Sequence, residues 1–506
     1  MTENHDHLSS EVLEGLSVGQ KDEAELARTM QRKSSSLYAV VFSGLALMSD
    51  GYQLGVISVA NVCFTRLYGD TFTTEVAARV SNALLFGLVL GQVSFGVVCD
   101  RVGRKFGMMS TTFLVVLGAA LCSGAYGAHG SVEGLFWALT ISRGILGVGI
   151  GGEYPCSSAS ASESADDVME GRRGTLVVLV TNVVIDIGIV FASLVPLLLG
   201  LAGCGYEAIW RASFAIGVLP PLTALYFRLR LVNSEHFQRN AIKRNVPYRL
   251  VLKRYWRHLL GTAGSWFIYD FIVYPFGIFT GVILDTAIGS NASIVQIASW
   301  SCLLSVFYLP GSIGGAFSSD YIGRKNTITL GFLVQGIVGI FLGIFYKNLL
   351  GVFPLFVVLY GIFSMLGEFP GDMVILVAAE AYPTAIRGTA YGWSAAIGKV
   401  GAICGTYAFK PAIESFGRGD MALGQGRVFI LASAVAILGA IFSWFLVPDY
   451  TKQELGQEDE AFRQYLIENG YDVTQLGETA TLNDEQEPIE AQKQATGTLE
   501  QKEAGF

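Results

Sequence analysis

The chain has 506 residues, of which 52% are hydrophobic and only 15% charged, and its mean hydropathy is +0.48. A soluble domain carries about 25% charged residues, so this composition excludes an ordinary water-soluble enzyme and indicates a polytopic membrane protein. The formal net charge of −8 lies largely in the tails, and nothing in it suggests a nucleic-acid partner.

Residues 1–36 are polar and lack the apolar core of a secretory signal, so they read as a disordered cytosolic tail. Six apolar runs follow, near 37–60, 82–99, 107–127, 134–156, 175–200 and 208–227. Each approximates the length a helix needs to cross a bilayer, and together they form an expected six-helix bundle over 37–227. A basic hydrophilic segment, 228–257, reads as a cytosolic central loop. Six more runs, near 258–284, 295–318, 327–346, 352–379, 389–411 and 427–447, make a second bundle over 258–447. The remaining segment, 448–506, is acidic and Gln-rich, with too little apolar surface to fold alone. The seven cysteines are scattered within apolar runs, without metal-ligand spacing or a disulfide framework. No metal and no cofactor are expected.

The halves echo one another. DRVGRK at Asp100–Lys105 returns as DYIGRK at Asp320–Lys325, 220 positions later. GEYP at Gly152–Pro155 returns as GEFP at Gly367–Pro370, 215 later, and RGT at Arg173–Thr175 returns at Arg387–Thr389, 214 later. Three ordered matches at nearly one offset indicate a duplicated six-helix unit, a recurrent transporter plan. The Gly-Arg-Lys loops, Arg172–Arg173 and the central loop fall on one side of the membrane. The positive-inside bias makes that side cytosolic, with both termini inside. The triplet Asn291-Ala292-Ser293 then faces outward, either as a glycosylation acceptor or as an unused sequon.

Ionisable residues inside spans are costly and functional by default. Trp266, Asp270 and Tyr274 are spaced i, i+4, i+8 and share one helical face, forming a polar strip along a pathway or a packing site for Asp270. Lys399 needs a counter-charge, from a protein acid or an anionic substrate. Asp50, beside Gly51, reads as a proton-handling group or a cap at a helix break. Arg143 is the natural ion partner for one of the intramembrane acids, either as a structural pair or as part of the proton coupling, and Glu153 precedes Tyr154 and Pro155 near the end of the fourth span. Asp186, Glu368 and Asp372 add three further carboxylates, and a carboxyl that changes protonation as a carrier reorients is a chemical basis for proton coupling. Asp100, Arg101, Arg104, Asp320 and Arg324 stand at span ends, where ion pairs between helices would latch one conformation. No nucleophile–base constellation or nucleotide loop accompanies them, so an enzyme is not expected.

Twelve spans in two halves, with D-R-x-G-R-K between the second and third spans of each half, resemble the major facilitator superfamily. GVGIGGEYP at Gly147–Pro155 is similar to the fourth-span signature of its phosphate:proton symporter branch. The stretches FRLRLVNSEHFQRNAIKRNVPYRLVLKRYW and SWFIYDFIVYPFGIF are similar to fungal glycerophosphoinositol and glycerophosphocholine permeases. The resemblance covers 37–450 and implies an all-α fold of two pseudo-repeated bundles. It also implies that Tyr154, Trp266, Asp270, Tyr274 and Lys399 surround a phosphate group, and that Asp50 and Glu153 serve proton movement. Three departures stand out: Glu153 replaces the branch's Asp, the fifth span offers Asn182 and Asp186 in place of an Asn-Gln pair, and Gly371-Asp372-Met373 replaces Gly-Pro-Asn. These fit a phosphodiester better than free phosphate, with Asn182, Asp186 and Asp372 facing its polyol or choline head group. The expected function is proton-coupled import of a small anionic organophosphate, a glycerophosphodiester, across the plasma membrane by alternating access. Protons are the coupling ion and the lipid bilayer the surroundings; the sequence does not specify an oligomeric state. The alternatives are inorganic phosphate:proton symport and a non-transporting nutrient receptor of the same fold.

Overall fold

The repeated Gly-Arg-Lys motif owes its glycine to a sharp turn. Gly103 has φ 133° and Gly323 φ 96°, a region that side chains disfavour, and at each the chain passes from one helix directly into the next. The computed structural model describes residues 44–168, 172–229, 246–289, 292–449 and 455–473. Asn291 lies outside them.

Among the described residues the chain is almost wholly helical. The first half comprises α1 (44–68), α2 (Thr74–Arg101), α3 (Arg104–Ser123), α4 (Val132–Val168), α5 (Arg173–Leu201) and α6 (Tyr206–Arg228). The second comprises α7 (Tyr248–Ile288), α8 (Ile294–Tyr321), α9 (Arg324–Ile344), α10 (Phe353–Glu380), α11 (Arg387–Gly417) and α12 (Met421–Leu446). A shorter helix, α13 (Leu455–Glu468), follows. Ten of the described helices, α2–α10 and α12, are long and apolar enough to cross a membrane. α11 is a long helix of the same bundle, but it carries Arg387, Lys399 and Lys410.

α2 packs on α4 in the first half, and α7 on α11 in the second. The helices of the α2–α4 pair come close through glycines: a Cβ on Gly147 would sit 3.0 Å from the Cα of Gly87, the small-residue contact that lets membrane helices approach. The halves meet along two matching pairs, α2 with α11 and α5 with α8. Large apolar side chains such as Phe86, Leu90, Phe113 and Phe445 remain exposed on the outside, as a lipid-facing perimeter requires.

Two boundaries differ from the hydropathy reading. α7 begins at Tyr248, so residues expected in the central loop up to 257 are helical. Their Lys and Arg side chains lower hydropathy without interrupting helix propensity. Within the acidic tail, α13 buries Phe462 and Leu466 against Tyr255, Tyr382 and Val447. Asp459 also accepts hydrogen bonds from the Thr384 backbone N–H at 2.6 Å and hydroxyl at 2.8 Å. This part of the tail gains its apolar partner from the helical body, which the tail's own composition does not reveal.

Candidate functional site

A cavity of about 140 Å³ lies between the halves. The helical spacing of α7 sets Trp266, Asp270 and Tyr274 along one wall, and α4 and α11 contribute Tyr154 and Lys399. Lys399 Nζ donates to Asp270 Oδ2 at 2.8 Å, and both side chains are buried. The ammonium lies 4.4 Å from the Tyr274 ring centre, 5.6 Å from Tyr154 and 5.7 Å from Trp266. Ring faces attract a cation, so a carboxylate and three aromatic rings replace the water that Lys399 has lost. The neighbouring Gly398 makes room for this cluster: a Cβ there would fall 2.5 Å from the Trp266 ring and 3.0 Å from Asp270 Oδ2. Asp270 Oδ1 makes no hydrogen bond.

A second, acidic group shares the cavity. Asn182 and Asp186 come from α5, Tyr308 from α8 and Glu368 from α10; Ser312 of α8 donates to Asp186 across the interface between halves. Asp372 does not reach the cavity wall. It is fully buried against Gly315 of α8, beside Asn182 of α5.

Among the described residues Arg143 does not pair with an intramembrane acid. Glu153 is held instead by Arg228, whose Nη1 donates at 2.7 Å and whose Nη2 forms a second bond to the same carboxylate. Thr111 donates to Glu153 at 2.8 Å and Ser157 donates as well, while Arg228 also bonds Thr112 Oγ1 at 2.6 Å and the Met108 carbonyl at 3.1 Å. This group is not on the cavity wall, and neither is Asp50, which is buried with Oδ2 making no hydrogen bond. Arg143 does line the cavity, but without a carboxylate partner among the described residues.

At the end carrying the Gly-Arg-Lys loops, the halves are joined by a reciprocal set of contacts. Arg104 pairs with Asp100 at 2.6 Å and Arg324 with Asp320 at 2.7 Å. Asp100 then accepts from the backbone N–H groups of Gly388, at 2.9 Å, and Thr389, at 2.6 Å. Asp320 accepts from the Thr175 N–H at 2.8 Å and its hydroxyl at 2.7 Å. Each aspartate thus caps the first turn of an Arg-Gly-Thr helix belonging to the other half, where free N–H groups and the helix dipole favour an anion. Glu163 bridges Arg104 at 2.8 Å and Arg387 at 3.0 Å, and Glu380 bridges Arg173 at 2.8 Å and Arg324 at 3.2 Å. The Arg-Gly-Thr repeat was visible in the sequence, but its partnership with the aspartates was not. Arg101 stands apart from this set and donates to Tyr248 Oη at 3.1 Å. At the opposite end the halves touch through Arg66 and Asp285, at 2.7 Å.

Two duplicated helical bundles closing on a charged cavity define a membrane carrier. The family model described as "Sugar (and other) transporter" matches residues 37–462. Glycerophosphoinositol transporter 1 of Saccharomyces cerevisiae is 40% identical over 87% of this chain and 84% of its own length. A glycerophosphocholine permease of Candida albicans is 37% identical over 95% of this chain and 92% of its own. A probable inorganic phosphate transporter of Arabidopsis thaliana is 26% identical over 82% and 92%. The proton:xylose symporter XylE, solved with 6-bromo-6-deoxy-D-glucose, shares the fold with TM-score 0.67 at 18% identity, over 85% of this chain and 99% of its own. The chain belongs to the sugar (and other) transporter family of the major facilitator superfamily. It is a transporter of that fold, not an enzyme.

Proposed function

We propose that this transporter imports a glycerophosphodiester, such as glycerophosphoinositol or glycerophosphocholine, together with a proton across the plasma membrane. The observation that carries the reading is the buried Asp270–Lys399 pair, 2.8 Å apart on the cavity wall within a ring of Trp266, Tyr274 and Tyr154. The named substrates of the fungal relatives support the organophosphate class.

Two cations, Arg143 and Lys399, and three carboxylates, Asp186, Asp270 and Glu368, line the cavity. An anion entering that set meets an excess of negative charge unless a carboxyl is protonated. A proton on Asp270 removes the counter-charge of Lys399 and frees the ammonium for a phosphodiester oxygen. Proton and anion then favour one another's binding, which is the thermodynamic content of symport. The phenol of Tyr274 and the indole of Trp266 supply donors beside the phosphate. Across the cavity, Asn182, Asp186 and Glu368 accept hydrogen bonds from head-group hydroxyls or face a choline cation.

The Gly-Arg-Lys end is cytosolic in this reading, with both termini on that side. Its reciprocal ion pairs then form the inner gate, opened when the two bundles rock about the central site. No cofactor takes part beyond the coupling proton.

Uptake of labelled glycerophosphoinositol into cells lacking their own permeases tests this reading. Competition by unlabelled glycerophosphocholine and uptake that increases as external pH falls are the expected results. Competition by inorganic phosphate alone, at low concentration, would transfer the protein to phosphate symport.

A further inference from the structure

We infer that Arg143 is a second anion-binding position in the central cavity, distinct from the Lys399 cluster, so that the single phosphate of the phosphodiester occupies the two positions in turn. The inference rests on the glycerophosphodiester reading for its substrate, though not for its chemistry, which is oxyanion recognition by a guanidinium.

Arg143 is 1% exposed and lines the cavity. Its Nε donates to the Val80 carbonyl of α2 at 2.9 Å, which fixes the plane of the guanidinium. Nη1 makes no hydrogen bond, and no carboxylate lies within ion-pair distance among the described residues. The other cation on the cavity wall, Lys399, is neutralised by Asp270, and the other buried arginines of this half are paired as well: Arg104 with Asp100 and Glu163, Arg173 with Glu380 and Arg228 with Glu153. An arginine carries five donors and cannot discharge itself by losing a proton, so burial without a counter-ion is costly. The planar fork of its unused donors matches two oxygens of a phosphodiester.

The surroundings fit the same ligand. Ser81, next in the chain to Val80, also lines the cavity, and its Oγ accepts from Asn61 Nδ2 at 3.4 Å. Its own hydroxyl proton is thereby left to donate to an anion. Eleven residues of α4 separate Arg143 from Tyr154, about 16 Å of helix rise, so this position is not part of the aromatic ring around Lys399. The duplication does not repeat this arginine. The 215-residue offset that carries GEYP onto GEFP carries Arg143 onto Val358, an apolar residue that is 39% exposed.

The test uses the full-length protein in lipid nanodiscs, with labelled glycerophosphoinositol, glycerophosphocholine and inorganic phosphate as probes. Arg143→Gln is expected to raise the Kd for the phosphodiesters by roughly 10- to 100-fold, the loss of a charge-assisted bidentate contact. Arg143→Lys, which keeps charge and loses the fork, should fall between it and wild type, and serves as the readout if Arg143→Gln does not fold. Solute counterflow in proteoliposomes, run without any gradient, separates binding from proton coupling. Impaired counterflow in both variants supports the inference. Wild-type Kd and counterflow, with only pH-driven accumulation lost, would overturn it and make Arg143 a coupling residue. A wild type that binds only inorganic phosphate, in an Arg143-dependent way, keeps the inference and removes the phosphodiester reading. Binding of none of the three probes removes both.

Discussion

Two buried acid–base pairs in this protein have the same ingredients and opposite settings. Glu153–Arg228 is enclosed by Thr111, Thr112, Ser157 and the Met108 carbonyl, so both carboxylate oxygens are occupied and neither residue lines the central cavity. Asp270–Lys399 has one bond, a carboxylate oxygen without a partner, and a cavity beside it. A fully satisfied pair holds its geometry and resists changes of charge state. A partly satisfied one exchanges partners when a proton or an anion arrives. Burial of an acid inside a span therefore does not by itself mark a working group; what it is bonded to, and what space it faces, distinguishes the two cases.

Substitutions can break this contrast. Glu153→Gln leaves the Arg228 guanidinium buried without its counter-charge and should destabilise the protein by about 3–5 kcal/mol, seen as a large drop in the unfolding midpoint in detergent. Replacing both partners with methionine should restore most of that stability; if it does not, the pair does more than fill and satisfy its site. Asp270→Asn is expected to act the other way round. The protein stays folded at the membrane, while uptake falls about 100-fold, equivalent to roughly 2.7 kcal/mol. Lys399→Ala should match it, and near-normal transport by either variant would remove the pair from the mechanism.

Smaller effects sharpen the comparison at the two ends of the molecule. Asp100→Asn weakens bonds to Gly388, Thr389 and Arg104 in a buried setting, so a loss of about 2 kcal/mol is expected. Cysteine-accessibility labelling of the cavity from the Gly-Arg-Lys side should increase in parallel. The smallest effect belongs to Arg66→Ala at the opposite end. Arg66 and Asp285 are each more than a quarter exposed, and such a pair contributes less than about 1 kcal/mol and is weakened by salt. A larger effect, insensitive to salt, would mean that this contact is a gate in its own right.

Much of this was legible in the sequence because duplication writes a motif twice. The Gly-Arg-Lys loops, the two Arg-Gly-Thr starts and the i, i+4, i+8 spacing of Trp266, Asp270 and Tyr274 needed only position counting. Partnerships between distant helices were not legible in that way. Glu163 and Glu380 bridge arginines from both halves, yet neither stands in a repeated motif. Arg228 looked like the first residue of a basic loop, but it is the last residue of α6 and its long side chain turns inward to Glu153. That reassignment left Arg143 without the acid expected for it. α13 was hidden for a related reason: it is an acidic segment with two apolar anchors, Phe462 and Leu466, whose partners come from α7 and the Tyr382 region.

The central claim is that the Asp270 carboxyl couples a proton to the binding of an organophosphate. Proteoliposomes containing only this protein, with labelled glycerophosphoinositol outside and an inward proton gradient imposed, test it most directly. Accumulation above equilibrium in wild type, abolished by Asp270→Asn and by a protonophore, is the result expected. Accumulation that persists in Asp270→Asn, or wild-type binding without any gradient-driven accumulation, would contradict the account.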